Sequence, residues 1–243
     1  MATKLGSVVG YRSGIYNGYK VIGTQTLGLR GLVLWLKFNE GSGNIAYDSS
    51  FYNNQGTIYG ATWTDGKFGK ALSFDGVDDY VEISSPSGIS KHTQLTLALW
   101  TYIVGPNSEN IDEVLFVSHP DSAHFKLQYF YNEKKVRFVF YDGSNSAYYI
   151  QFFSLDNSWH FITVTANGST ACLYIDAKLK GCVDISSITG GTPTVLRIGA
   201  YSSTVAHTNG TIDQVRIYNR ALSEEEIKML YYNRIGAVPS KTI

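Results

Sequence analysis

The stretch 211–222, TIDQVRIYNRAL, runs without a break into 223–234, SEEEIKMLYYNR. Ile212, Val215 and Ile217 set against Gln214, Arg216 and Tyr218 read as a strand with one apolar and one polar side. Ser223 stands three residues ahead of Glu226. That spacing lets the serine side chain accept from the Glu226 amide while the glutamate reaches back to the serine amide. A strand that ends in such a box predicts one helix from residue 223 to about 233.

Upstream of it the chain reads almost entirely as strands. LVLWLKF (32–38), QLTLALWTYI (94–103), DEVLFVS (112–118), FKLQYF (125–130), KVRFVFY (135–141) and AYYIQFF (147–153) are short, aromatic and β-branched runs. WHFITVTA (159–166), STACLYI (169–175), KLKGCVD (178–184) and TVLRIGA (194–200) continue the series. KALSF (70–74) and DYVEI (79–83) bracket the turn DGVD and read as a hairpin. Turn residues separate the runs, and no repeat period is visible. This pattern predicts an all-β fold, a two-sheet antiparallel sandwich with one short C-terminal helix. Residues 1–30 hold six glycines and no clean period, which predicts an extended N-terminal arm. Residues 31–233 then form one domain, and 234–243 an irregular tail.

Lys plus Arg and Asp plus Glu both number 20, so the net charge is zero. A nucleic-acid binder carries a basic excess, and this chain does not. No run reaches the roughly 18 apolar residues of a spanning helix. The first residues also lack the apolar core of a signal peptide, so the chain as given is not expected to be a standard secretory precursor.

Cys172 and Cys182 flank LYIDAKLKG, which reads as a hairpin turning near Asp176–Lys178. A two-residue turn places Cys172 opposite Gly181. A three-residue turn pairs the two cysteines directly, in reach of a disulfide. Two small residues filling strand positions is the other reading.

Three ordered motifs carry a family resemblance. GLVLWLKFNEGSGN opens at Gly31, GKFGKALSFDGVDDYV runs from Gly66 to Val81, and TIDQVRIYNRALSEEEI closes the series. Together they resemble the laminin-G-like, concanavalin-A-like lectin and glucanase jelly rolls, over about residues 31–233. The resemblance implies a jelly roll used in carbohydrate binding, adhesion, sensing or glycan hydrolysis, and fold alone does not choose among these. It also implies a structural calcium between the first loops and the closing strand, with carboxylates from Asp48 and Asp213 and carbonyls from 50–54. Read from the residues alone, Asp48 is a loop cap and Asp213 bonds backbone amides of a crossing strand.

The hydrolases of this fold carry an E-x-D-x-(x)-E strand, and no such strand is present here. Glu224–Glu226 stand at a helix start, where they favour its dipole. Asp78 and Asp79 sit in a turn. The five histidines, at 92, 119, 124, 160 and 207, show no ligand or nucleophile spacing. Catalysis is therefore not expected. Sugar binding needs aromatic platforms with polar neighbours, and Tyr129, Tyr148 and Tyr149 are the candidates. Alternation points Tyr148 and Tyr149 to opposite faces. Trp35, Trp100 and Trp159 read as core.

The expected function is non-catalytic. One reading is a jelly roll displayed on a virion or extracellular assembly, with residues 1–30 docking on neighbouring subunits, strand addition being one way to do so. The other is a carbohydrate-binding module of a secreted protein. A glycan hydrolase is the outsider.

Overall fold

The computed structural model describes residues 14–16, 19–21, 29–89, 93–105, 111–118, 125–141, 147–153, 155–188, 191–201 and 206–233. The expected tail at 234–243 lies outside them, as do His92, His119, His124 and most of the arm. What is described of the arm is a hairpin, β1 (Gly14–Tyr16) paired with β2 (Tyr19–Val21).

The remaining strands follow in chain order. They are β3 (Leu32–Leu36), β4 (Ile45–Ala46), β5 (Gly56–Tyr59), β6 (Thr62–Asp65), β7 (Lys70–Asp75), β8 (Tyr80–Ser84), β9 (Gln94–Ile103) and β10 (Ile111–Ser118). Then come β11 (Phe125–Phe130), β12 (Lys135–Tyr141), β13 (Ala147–Phe153), β14 (His160–Asn167), β15 (Thr170–Ile175), β16 (Lys178–Asp184), β17 (Val195–Ile198) and β18 (Asn209–Tyr218). Helix α1 (Glu224–Tyr231) closes the fold.

The first sheet has the order β13-β12-β11-β10-β17-β8-β5-β4, and the second β16-β15-β14-β9-β18-β7-β6. β3 joins the second sheet beside the far half of β18. All pairings are antiparallel. The result is the jelly-roll sandwich that the strand pattern predicts. Residues from both sheets, among them Leu97, Leu99, Val164, Ile217, Leu127, Phe138 and Ile198, form one core between them.

A second core lies on the outer side of the second sheet. There Ala98, Trp100, Phe161, Tyr174 and Tyr218 pack against Leu222, Ile227 and Leu230 at and along α1. This is why β9 is buried at nearly every position: both of its faces are covered. Trp35 and Trp159, partly buried, pack against it as well, so three of the four tryptophans belong to the helix-covered layer, while Trp63 packs against the inter-sheet core. Trp100 stacks on Tyr231 with ring centroids 5.3 Å apart. The capping box is present in both directions at Ser223 and Glu226, and Arg220 grips the same glutamate with two hydrogen bonds.

Two local readings are corrected. β7 and β8 are not a hairpin: β7 pairs with β6 and β18, β8 with β5 and β17. The turn 75–79 carries the chain over the corner from one sheet to the other. The cysteine hairpin turns at two residues, Asp176 and Ala177, both with positive φ, as the right-handed twist of a tight hairpin demands. Yet Cys172 faces Cys182, because a bulge at Lys180, between the Leu173–Gly181 and Tyr174–Leu179 pairs, shifts the register by one residue. The two are joined as a disulfide.

Candidate functional site

Among the described residues, one Ser–His–Asp arrangement occurs at the start of β14. His160 Nδ1 lies 2.9 Å from Asp176 Oδ2, and its Nε2 lies 3.0 Å from Asp156 Oδ1 and 3.3 Å from Ser158 Oγ. Both ring nitrogens thus face carboxylates, which calls for a proton on each. The hydrogen bond to Asp176 raises the imidazole above its usual 6.5, and Asp156 adds to the effect. An imidazolium cannot take the serine proton, and Ser158 Oγ donates to Asp156 instead. The cluster ties β14 to the β15–β16 turn, since Asp176 also accepts from the Phe161 amide.

Asp75, Asp78 and Asp79 bring carboxylate oxygens within 4.8 Å of one another. They share one corner turn and do not oppose each other across a face. Asp79 Oδ2 accepts from the Asp75 amide and Asp75 Oδ1 from the Val77 amide. These are turn caps.

The implied calcium site does not fit the residues. Asp48 Oδ1 accepts from the amides of Trp35 and Ser50, each at 2.8 Å. Its Oδ2 accepts from Ser50 Oγ at 2.6 Å and the Asn54 amide at 2.8 Å. Four donors occupy this carboxylate, so it is a loop cap. Asp213 is fully buried and uses Oδ2 to hold the Phe68 amide at 2.8 Å. Burial pushes its carboxyl up to about 6. Its Oδ1 has no hydrogen-bond partner. One open oxygen near the buried Arg216 guanidinium is far from the six to eight oxygens that calcium takes.

The three candidate tyrosines part company. Tyr129 is 3% exposed, inside the inter-sheet core and edge-on to Tyr131, so it cannot serve as a platform. Tyr148 leans on the same core, with its hydroxyl accepting from Ser187 Oγ. Tyr149 points the other way and is 52% exposed.

Tyr149 ends a row that crosses the outer face of the first sheet. Directly paired positions run Thr57, Glu82, Arg197, then across β10 to Lys126, Val139 and Tyr149. At about 4.8 Å per strand the row is roughly 29 Å long. Arg197 binds Glu82 Oε2 through Nε at 2.9 Å. Tyr59 and Tyr80 stack beside this pair, centroids 4.6 Å apart. Lys126 Nζ sits 3.8 Å from the Tyr201 ring centroid and 5.4 Å from that of Tyr141. Arg137 forks onto Gln128 Oε1 at 2.9 and 2.7 Å and lies over Phe130. Aromatic faces thus alternate with fixed hydrogen-bonding groups. Such a surface meets both sides of a sugar: apolar ring faces stack, and hydroxyls find donors and acceptors already oriented.

Sequence reasoning missed Tyr59, Tyr80, Glu82, Arg197, Lys126 and Tyr201. The alternation of Thr57 with Tyr59, and of Tyr80 with Glu82, was there to be read. Their assembly was not, because the row joins positions from 57 to 197.

A family model for the Concanavalin A-like lectin/glucanases superfamily matches residues 75–228. No curated protein sequence matches the chain. Among solved structures, the binding domain of botulinum neurotoxin serotype D superposes with a TM-score of 0.71 at 17% identity, over 86% of this chain and 53% of that one. The binding domain of Paraclostridial Mosquitocidal Protein 1 gives 0.67 at 18%, over 84% and 52%. The binding domain of botulinum neurotoxin DC in complex with SialylT gives 0.67 at 18%, over 84% and 51%. The chain spans about half the length of each, and at such identities the likeness is one of fold.

Two predictions follow from the geometry. Asp48→Ala strands four donors, several of them half-buried, and is expected to lower stability by about 2–4 kcal/mol. In urea unfolding that loss is the same in EDTA and in millimolar calcium. The raised His160 stabilises the fold below its unfolded value near 6.5, and that share is lost as pH climbs through the folded value. NMR titration of His160 is expected to give a midpoint above 6.5. The stability gap between the native protein and His160→Gln narrows as the solution is made alkaline.

Proposed function

We propose, from the fact that this chain belongs to the concanavalin A-like lectin/glucanases superfamily and from the face just described, that it is a non-catalytic binding domain that recognises glycans. The observation that carries this reading is the row on the first sheet, with Tyr59 and Tyr80 stacked beside the Glu82–Arg197 pair and Tyr149 at its far end. Similar solved structures are binding domains, one of them held with SialylT. The Ser158–His160–Asp176 cluster, with both ring nitrogens held by carboxylates, supports binding over catalysis.

The domain works outside the cell, on a virion or another extracellular assembly, where the Cys172–Cys182 disulfide persists. Residues 1–30 dock on a neighbouring subunit, and the β1–β2 hairpin offers strand edges for doing so. The same disulfide suits a second reading, a carbohydrate-binding module within a secreted protein. No described helix is long and apolar enough to cross a membrane.

A glycan array tests the binding face. The native protein is expected to bind at least one glycan class, and Tyr59→Ala with Arg197→Ala to weaken it about tenfold or more, as hot-spot truncations do. Equal binding by the double variant, or none by the native protein, removes the face as the site. Light scattering of the full chain and of a chain lacking residues 1–30 tests docking: the first is expected to be oligomeric and the second monomeric. Two monomers at micromolar concentration would end the assembly reading.

A further inference from the structure

Near the β13 edge of the first sheet, three outward side chains stand together and the fold leaves them open. Gln128, Arg137 and Gln151 are directly paired on β11, β12 and β13. Tyr149 precedes Gln151 by two residues, which makes it a diagonal neighbour of Arg137, within reach of a long side chain. Tyr149 and Gln151 are exposed and Arg137 is half-buried. Among the described residues, the side chains of Tyr149 and Gln151 have no hydrogen-bond, ion-pair or ring partner.

Arg137 is a cation held in place by neutral groups. Its Nε and Nη2 both donate to Gln128 Oε1, at 2.9 and 2.7 Å, and its guanidinium carbon lies 4.5 Å from the Phe130 ring centroid. Gln128 is buried, so the support under the guanidinium is settled before any ligand arrives, which lowers the ordering cost of binding. Arginine has five N–H donors, and Gln128 takes two of them. The edge between Nη1 and Nη2 keeps a pair of parallel donors. No carboxylate among the described residues is within ion-pair distance of Arg137. Two acids share this part of the face. Glu133 is bound to Lys135 Nζ at 2.6 Å, and Glu113 pairs with Gln128 from β10, two strands and roughly 10 Å from Arg137.

The charge selects the ligand. A half-buried guanidinium whose neighbours are an amide and a ring has no neutralising group of its own. A carboxylate laid against the open Nη1–Nη2 edge supplies one, through two charge-assisted hydrogen bonds in a geometry that the planar fork already has. Tyr149 beside it offers a ring face, and Gln151 offers an amide donor and acceptor on the same strand. A sugar that carries a carboxylate meets all three, with its ring on Tyr149, its acid on Arg137 and its hydroxyls on Gln151. A neutral sugar leaves the charge unpaired, and an acid without a ring leaves Tyr149 unused.

We propose that Arg137, Tyr149 and Gln151 form a subsite for a carboxylate-bearing sugar residue, with Arg137 selecting for the acid. The proposal rests on the glycan-binding reading of the sheet face and gives that face a class of ligand. Biolayer interferometry of the full chain on immobilised polygalacturonate, hyaluronan and polysialic acid tests it, with the carboxyl-reduced form of each polymer as its neutral twin. The native protein is expected to bind at least one of the acids, about tenfold or more weakly after carboxyl reduction, and more weakly as salt is raised. Arg137→Gln is expected to weaken that binding about tenfold, and Arg137→Lys nearly as much, because an ammonium lacks the fork. Tyr149→Ala is expected to weaken it about tenfold with an unchanged melting midpoint, since the ring is exposed. Four results overturn the subsite: no binding to any of the three acids, equal binding to the reduced polymers, undiminished binding by Arg137→Gln and Tyr149→Ala, or Arg137-dependent binding to poly-glutamate as strong as to the sugars. Tyr59→Ala with Arg197→Ala separates the two levels. If neutral glycans bind through Tyr59 and Arg197 while Arg137 adds nothing for the acids, the subsite falls and the face stands. If the acids bind through Arg137 and Tyr149 and the Tyr59–Arg197 double variant binds them as the native protein does, the subsite stands and the rest of the row falls.

Discussion

The sandwich hangs on the bulge in β18, where Gln214 adopts a φ of 55° between Asp213 and Arg216. Asp213 pairs with Trp100 and Arg216 with Ala98, so two residues of β18 oppose Leu99 alone. Ile212 and Val215 are three apart, a spacing that regular alternation cannot place on one side. The extra residue puts both into the inter-sheet core. It also divides the partners of β18. The strand pairs with β7 before the bulge and with β3 after it. Asp213 and Arg216 both end up on the helix side, buried. Gln214 ties that side together, accepting from Arg216 at 2.8 Å and from Trp35 Nε1 at 3.1 Å. A buried guanidinium is held by amide and ring contacts, at the cost of a pKa lowered to about 10 by burial.

How far the sequence could be read follows from the range of each interaction. Most strand bounds and the helix start rest on local alternation and on one capping box, and these were legible. The pairing of β7 and β8 was not. The segment Lys70–Ser84 looks like a hairpin because a capped acidic turn is the same chemistry whether the chain turns back in one sheet or crosses to another. The cysteines show the limit at one residue. Turn length was read as deciding the register, and a bulge at Lys180 overrode it. Asp48 was legible as a loop cap from its Asp-Ser-Ser setting, and its four donors bear this out. Tyr129 was not legible as core. Alternation puts Tyr129 and Tyr131 on a shared face, and only the neighbouring strands decide whether that face looks in or out.

Charge is distributed in a way that separates holding from doing. The titratable groups that come close to a catalytic arrangement are already satisfied. His160 sits between two carboxylates, and the acidic turn 75–79 bonds its own amides. Catalysis needs groups whose preferred partner is missing until the substrate arrives, and strongly shifted groups of use lie in open clefts. Here the most shifted groups, Asp213, Arg216 and Tyr218, lie under the helix, where burial is the largest cause. On the first sheet the opposite holds. The half-buried Glu82–Arg197 pair holds its side chains in a fixed geometry on that face.

The helix decides which face can bind. Strand β18 runs straight into Ser223, and the capping box starts α1 within one turn of the strand end. Thr96 on β9 secures that junction, donating to the Arg220 carbonyl at 2.8 Å and accepting from the Leu222 amide at 2.9 Å. The helix then has no length of linker with which to go elsewhere, and its apolar side closes over Trp100 and Phe161. The outer side of the second sheet is spent on this second core. Among the described residues, the outer face of the first sheet keeps exposed or half-exposed aromatic and charged side chains on six strands, β5, β8, β17, β11, β12 and β13. The one-residue bulge at 214–215 and the serine at 223 thus fix which outer face of the sandwich the helix covers.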